Sequence, residues 1–351
     1  MNIQLFDYEL PKNLISQKPI VPRDHCKLLV YNKETKTIKH KKFYDIVDEL
    51  DKNSVLVLND TKVYPARLYG KKLTGGKIEI FLLGTTNNKF SLDNLSNSWN
   101  ILVNKKVKDK EEIKFYLKNK VVLSGIIVNK GQDTDLKIEF NTKGRNLMHK
   151  IWQLGQIPLP PYIKNYNKHK GKYYQTIYAK HFGSCAAPTA GFHFTKNLLN
   201  KIIKKGIKIE YITLNVGIGT FKPIKTQNIE QHHMHKEYFE VSKTTAKHLN
   251  TYRQQGKKIV AVGTTCVRVL ETIVKDNQFV SGAGFTDIFI YPGYNFKGVD
   301  QFITNFHLPR STPLMMVAAF VGLPEETLRI YKEALRKKYK FYSFGDAMFI
   351  K

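Results

Sequence analysis

Helical periodicity disappears from this chain at about Leu68 and returns near Asn146. Between those borders the apolar runs are short: GGKIEIFLL (75–83), WNILV (99–103), EIKFYL (112–117), VVLSGIIV (121–128) and LKIEF (136–140), parted by Asn, Gly and Lys. Short runs bounded by turn residues read as strands, and several in succession without a helix predict a small antiparallel barrel or sandwich. On either side the rhythm changes. VLVLNDTK (55–62), IKIEYITLNVG (207–217) and KIVAV (258–262) are apolar strands running into polar loops. Helical spacing appears at 43–50, 146–154, 196–205, after Ser242, at 266–274, and at about 313–321 and 325–339. DIFIYPG (287–293) reads as a further strand and turn, and ITNFHLPRST (303–312) as a loop bearing a histidine. Alternation of this kind predicts an α/β layer with loops gathered at strand ends. The expected fold is a discontinuous α/β main domain, residues 1–67 and 146–351, with an inserted, mostly antiparallel β-barrel domain at 68–145.

The stretch GSCAAPTAGFHFT (183–195) is a poor helix and a poor strand. Pro188 fixes one φ and pushes Ala187 toward extended geometry, while Gly191 permits positive φ or close backbone approach. Thr195 is placed to cap the helix that follows, which stops at Gly206. A rigid small-residue loop thus delivers His193 just ahead of a helix N-terminus, where polar and anionic ligands are often held. GTT (263–265) joins a buried strand directly to a helix and offers amides and hydroxyls at its positive end. Asp60, in NDTK at the end of an apolar strand, occupies a position where ligand-facing residues gather. GIG (217–219) alone is not a dinucleotide fingerprint, and no Walker sequence is present. His232, His233 and His235 lack a neighbouring cysteine or the HExxH arrangement, so no metal is expected.

Lys+Arg 57 against Asp+Glu 29 leaves a net charge of +28, a field suited to a polyanion. Only 8 of those 57 cations are arginine, so compositional drift toward lysine competes with nucleic-acid binding as the cause. Acidic residues have not risen to match, which favours binding. There is no run of eighteen apolar residues and no basic-then-apolar leader. The 3 cysteines, Cys26, Cys185 and Cys266, are odd in number and scattered, against a disulfide framework or a zinc site. A cytoplasmic protein is expected.

NDTKVYPARL (59–68), YQTIYA (174–179), AAPTAGFHF (186–194), VGIGTF (216–221), MHKE (234–237), VGTTCVR (262–268), IFIYPG (288–293), NFHLP (305–309) and YSFGDAM (342–348) occur here in one order. In this the chain closely resembles the S-adenosylmethionine:tRNA ribosyltransferase-isomerase family of queuosine biosynthesis, over about Phe6 to Ile350. The resemblance implies an α/β domain with an inserted barrel. It also implies transfer of the ribosyl part of S-adenosylmethionine to 7-aminomethyl-7-deazaguanine at the wobble position of a tRNA. Rearrangement of the ribose gives epoxyqueuosine and releases adenine and methionine. S-adenosylmethionine is then a consumed substrate and no resident cofactor is implied. The other partner is a tRNA with a GUN anticodon carrying the deazaguanine precursor, and a monomer is expected. The chain departs from the family pattern at Asn215, where relatives usually carry histidine, at Cys266, where serine is usual, and at Pro313, where an aliphatic residue is common.

The implied chemistry needs a base beside the carbon that the sulfonium acidifies, a protonated or stabilised adenine leaving group, and donors for an oxyanion. His193 and His307 are the proton-transfer candidates, expected to face one pocket, with Asp60 and Asp346 as the carboxylates. Thr264, Thr265 and Arg268 are expected to hold the anionic or hydroxyl groups of S-adenosylmethionine. Arg67, Tyr174 and Gln175 are placed against the modified base or its phosphates. Pro188, Thr189, Gly191, Gly217, Gly219, Thr220, Gly263 and Asn305 complete the substrate-binding loops. The competing classes are a non-catalytic RNA-binding protein, which does not need the polar loops of the α/β portion, and a tRNA methyltransferase, which would need a recognisable S-adenosylmethionine-binding sheet and would yield S-adenosylhomocysteine. If the charge is a binding surface, tRNA affinity should fall steeply with salt, log K declining by about 0.9 per phosphate neutralised for each unit of log salt. A flat response in a filter-binding titration would mark the lysine excess as drift.

Overall fold

The computed structural model describes residues 1–86, 95–129, 136–164, 168–217, 224 and 226–351. The N-terminal segment supplies β1 (Lys27–Asn32), β2 (Thr37–Lys42), the one-turn helix α1 (Ile46–Glu49), β3 (Ser54–Asn59) and β4 (Thr61–Val63). Six strands follow: β5 (Arg67–Lys72), β6 (Lys77–Thr85), β7 (Ser98–Val103), β8 (Glu112–Leu117), β9 (Lys120–Val128) and β10 (Lys137–Phe140). The rest comprises α2 (Gly144–Leu154), α3 (Lys168–Tyr173), β11 (His181–Ser184), α4 (Lys196–Lys204), β12 (Lys208–Leu214), β13 (Glu237–Val241) and α5 (Lys243–Gln254). After it come β14 (Lys258–Val262), α6 (Thr264–Ile273), the short pair β15 (Val274–Lys275) and β16 (Gln278–Phe279), and β17 (Gly282–Thr286). β18 (Gln301–Asn305), α7 (Thr312–Val321), α8 (Pro324–Arg336) and β19 (Ala347–Ile350) complete the chain.

Strands from both sides of the inserted block interleave in one nine-stranded sheet, ordered β17-β13-β12-β3-β14-β18-β19-β1-β2. Its centre is parallel, β12 and β14 flanking β3 and β18 following β14. Every residue of β3 is buried, as a strand covered on both faces requires. Val55 and Val57 face one core with Val267 and Leu270 of α6, while Leu56 and Leu58 face another with Leu198, Leu199 and Ile202 of α4. Thr195 caps α4 through a hydrogen bond accepted from the Leu198 amide at 3.2 Å, and the helix ends before Gly206 at φ +91°.

The six strands β5–β10 close into a barrel in the order β10-β7-β6-β5-β8-β9, with every neighbouring pair antiparallel. Period-2 alternation carries Ile78, Ile80 and Leu82 inward from β6 onto Trp99 and Phe115. The fold is thus a discontinuous α/β domain with an inserted antiparallel barrel. The helix α2, grouped by its periodicity with the α/β portion, packs Leu147, Met148 and Ile151 into the barrel core instead. Periodicity reports that a helix has an apolar face and is silent about what that face meets.

Two local readings change. Residues 287–290 are not a strand: β17 ends at Thr286, paired with Glu237 at the start of β13, so the next residues have no ladder partner. They are apolar because Ile290 enters the core and Phe289 packs edge-on against His232. Ile303 to Asn305, read as loop, extend β18. Among the described residues no helix is long and apolar enough to cross a membrane. All three cysteines are free and buried.

Gly191 serves by close approach. A Cβ there would collide with the Tyr178 hydroxyl and the Thr176 methyl. Gly191→Ala should therefore cost on the order of 1–3 kcal/mol of stability, and Tyr178→Phe in the same chain should recover part of it. Urea unfolding of the two single variants and the double variant measures the coupling.

Candidate functional site

Loops leaving the carboxyl ends of the parallel strands converge on a cavity of about 380 Å³. Ala187 to Ala190 approach after β11, Val216 after β12, Gly263 to Thr265 after β14, and Asn305 with His307 to Ser311 after β18. Tyr162, Tyr174, Tyr342 and Ser343 close the remaining side. Open parallel sheets place ligands at this edge because each strand hands over to its helix there. Gly263 makes the tightest handover: at φ +89° it turns β14 directly into α6, and no side chain caps the helix. The positive end of α6 and the Thr264 and Thr265 side chains are left at the cavity wall.

His307 lines this cavity, its Nε2 within 2.8 Å of the Thr304 hydroxyl. The loop is held by Tyr8, whose hydroxyl donates to the His307 carbonyl, and by Tyr331, whose hydroxyl accepts from the His307 amide at 3.2 Å. His307 is half-buried at the cavity wall, and desolvation there lowers its pKa to about 3. At neutral pH it is an uncharged imidazole.

His193 is elsewhere. It is 3% exposed, with Nδ1 against Cys26 Sγ at 3.1 Å and Nε2 accepting from Asn305 Nδ2 at 2.9 Å. It lines a separate crevice with Arg23, Cys26 and Phe344, so the expectation of one pocket for both histidines does not hold. Asn305 stands between them: its Oδ1 accepts from Thr189 at 3.0 Å, and both residues line the large cavity. His193 orients this pair. Burial, aided by the Arg23 charge, lowers its pKa to about 3 as well.

The carboxylates separate too. Asp60 lines another cavity, of about 400 Å³, with Tyr178, Lys180, His181, Tyr211 and Thr213. Its Oδ1 accepts from the Thr213 hydroxyl at 2.7 Å, and His181 Nε2 lies 3.6 Å from Oδ2. Burial raises its pKa against the opposing pull of Thr213, His181 and Lys180. Asp346 accepts from the amides of Lys27 and Lys340, each at 2.6 Å, and so pins the turn before β19 to the start of β1.

Of the residues assigned to the base, only Tyr174 reaches the large cavity. Gln175 is spent on the backbone of Val63, accepting from its amide at 3.1 Å and donating to its carbonyl at 2.8 Å. Arg67 sits on the first barrel strand, its Nε 3.5 Å from Glu79, with its backbone bridged to Gln156. Pro188, Thr189, Gly263, Thr264 and Thr265 line the cavity, and Gly191 supports the loop behind it. Arg268 is buried and paired with Glu237, whose other oxygen accepts from the Gly217 amide at 2.9 Å. Gly219 and Thr220 lie outside the described residues. Of the departures noted, Pro313 sits in the first turn of α7, Cys266 is buried in α6, and Asn215 Oδ1 accepts from the Thr61 hydroxyl at 2.9 Å.

Glu237 and Tyr342 stand in the strings MHKE and YSFGDAM, a signal in the sequence that by itself gives neither a role. Tyr162 had no signal, because a proline-rich connection says nothing of what it passes.

The two neutral histidines carry a stability consequence. Both have folded-state pKa values near 3, against about 6.5 when unfolded, so above pH 6.5 neither state binds the proton. Below it the unfolded chain is protonated first, and stability is lost progressively as pH falls from about 6.5 toward 3. Urea midpoints at pH 7 and pH 5 should show this loss, and His193→Gln should reduce it.

The family model described as queuosine biosynthesis protein matches residues 3–350. Proteins named S-adenosylmethionine:tRNA ribosyltransferase-isomerase from Thermotoga petrophila and from Thermotoga sp. strain RQ2 are each 45% identical over 350 residues, covering 100% of both chains. A crystal structure of the S-adenosylmethionine tRNA ribosyltransferase of Thermotoga maritima is similar at a TM-score of 0.57 and 36% identity, covering 99% of this chain and 100% of that one. Because the similarity runs through sheet, barrel and cavity loops alike, the chain belongs to the queuosine biosynthesis protein family.

Proposed function

We propose that the protein transfers and isomerises the ribosyl moiety of S-adenosylmethionine onto 7-aminomethyl-7-deazaguanine at the wobble position of a GUN-anticodon tRNA. The products are epoxyqueuosine-tRNA, adenine and methionine. The observation that carries this reading is the cavity at the sheet's carboxyl edge, whose walls are the loops of the same strings that mark the family. Its size suits a nucleoside-sized ligand, since such sites typically enclose about 300–1,000 Å³. The net charge of +28 supports a polyanionic partner. The protein acts as a monomer in the cytoplasm in this reading.

Within the cavity His307 is the proton-transfer group. It is uncharged, so its ring can accept a proton from the acidified ribose carbon, and Thr304 holds it at the cavity wall. The start of α6 lies across from it as a source of donors for developing negative charge. His193 acts one step back, by holding Asn305 against Thr189. Asp346 and Gln175 hold backbone.

Chromatography of the spent cosubstrate tests the reaction class. Adenine with methionine is expected; S-adenosylhomocysteine would mark a methyltransferase, and unspent cosubstrate a binding protein. His307→Ala should lower the single-turnover rate by about 10²- to 10⁴-fold with tRNA affinity little changed. A near-wild-type rate would remove His307 from the chemistry.

A further inference from the structure

A second, smaller cavity lies against the same helix start. Thr264, Thr265 and Pro313 line both cavities, and Glu237, Arg268 and Phe289 are among the residues that complete the smaller one. Its volume of about 40 Å³ admits groups of the size of a carboxylate or an ammonium, and excludes a nucleoside. Arg268 and Glu237 are 6% and 5% exposed. They form an ion pair that cancels their charge at this wall, while Arg268 Nη2 donates to the Thr286 carbonyl at 3.0 Å.

Arg268 Nε is buried at this wall with no hydrogen-bond partner among the described residues, and Thr265 Oγ1 has none beyond an interaction with the neighbouring Cys266 thiol. A buried guanidinium N–H left idle is costly, which favours an acceptor arriving with a ligand. The start of α6, a ten-residue helix without a side-chain cap, adds amide donors beside them. Glu237, already bonded to Arg268 and to the Gly217 amide, contributes the opposite property, a negative charge at the same wall. Donors for an anion and an acceptor for a cation therefore meet at a wall of zero net charge. A phosphate or a lone carboxylate would leave that balance broken, whereas a zwitterion preserves it.

We infer that the smaller cavity holds the α-amino-acid end of S-adenosylmethionine. Its carboxylate takes Arg268 Nε, the Thr265 hydroxyl and the start of α6, and its ammonium takes Glu237. The nucleoside occupies the larger cavity, and the sulfonium crosses the wall that Thr264, Thr265 and Pro313 share. Glu237 and Arg268 thereby become specificity residues that select an intact methionyl group and set the position of the ribose. This rests on the proposed reaction and adds to it the orientation of the cosubstrate.

The test compares S-adenosylmethionine with its decarboxylated analogue, following adenine release from each in the presence of precursor tRNA. In the wild type the analogue should show a KM higher by about 10- to 100-fold, the worth of a charge-assisted hydrogen bond, with kcat changed far less. Arg268→Lys should collapse that discrimination to within about threefold, whereas Glu237→Gln, which meets the ammonium common to both cosubstrates, should raise both KM values by about 10-fold and leave their ratio in place. Thr265→Val leaves the ion pair in place and keeps the test decisive should either of those variants fail to fold. It should raise the KM for S-adenosylmethionine by about 3- to 10-fold and leave that for the analogue unmoved. Equal KM values for the two cosubstrates in the wild type, or full discrimination in Thr265→Val, would make the ion pair a fold element alone and overturn the subsite, with the reaction class intact. Absence of adenine release from S-adenosylmethionine in the wild type would overturn the proposed reaction and the subsite with it.

Discussion

The stretch from Gly183 to Thr195 contributes buried side chains to four hydrophobic cores in turn. Cys185 enters the barrel, Ala186 the α6 side of the sheet, Ala187 and Phe192 the aromatic cluster with Tyr174 and Phe344, and Ala190 and Phe194 the α4 side. No helix or strand can meet that demand, because regular periodicity sends side chains to one or two faces only. The segment is irregular for that reason, and small for the same one. Its Thr189 reaches the candidate cavity while its neighbours are anchored on both sides, so the site is held by packing in every direction. Barrel, sheet and cavity are joined through this one connection.

The parallel centre of the sheet supplies the other half of that rigidity. β3 pairs with β12 and β14, which lie some 150 to 200 residues further along the chain, so their ladder forms only after a long loop has been closed. A closed barrel inside that loop has its own core and no free edges, and can be compact before the sheet is complete. At the far edge β2 carries Lys39, Lys41 and Lys42 on an exposed strand. Lysines there discourage pairing with a second chain. Part of the net positive charge thus has a role in keeping the fold soluble that requires no nucleic acid.

Electrostatics at the cavity run against the surface. His193 and His307 are both uncharged, and Arg268 is neutralised by Glu237. The interior edge of the sheet therefore offers dipoles and hydrogen-bond donors where the outside offers bulk charge.

Fold class was legible in the residues themselves, because loss and return of helical periodicity at 68 and 146 is a property of local pattern. So were the cap at Thr195, the turn at Gly263 and the motif loops, each of which follows from one or a few adjacent residues. What local pattern does not encode is the partner of a face. The packing of α2 on the barrel, the absence of a ladder at 287–290, and the separation of His193 from His307 all depended on which surfaces met. The same holds for Gln175 and Asp346. Each is a polar residue in a motif and reads as a ligand group, yet each is satisfied by backbone far away in the chain. Residue type determines what a group can bind; only tertiary contact decides whether that capacity is already used.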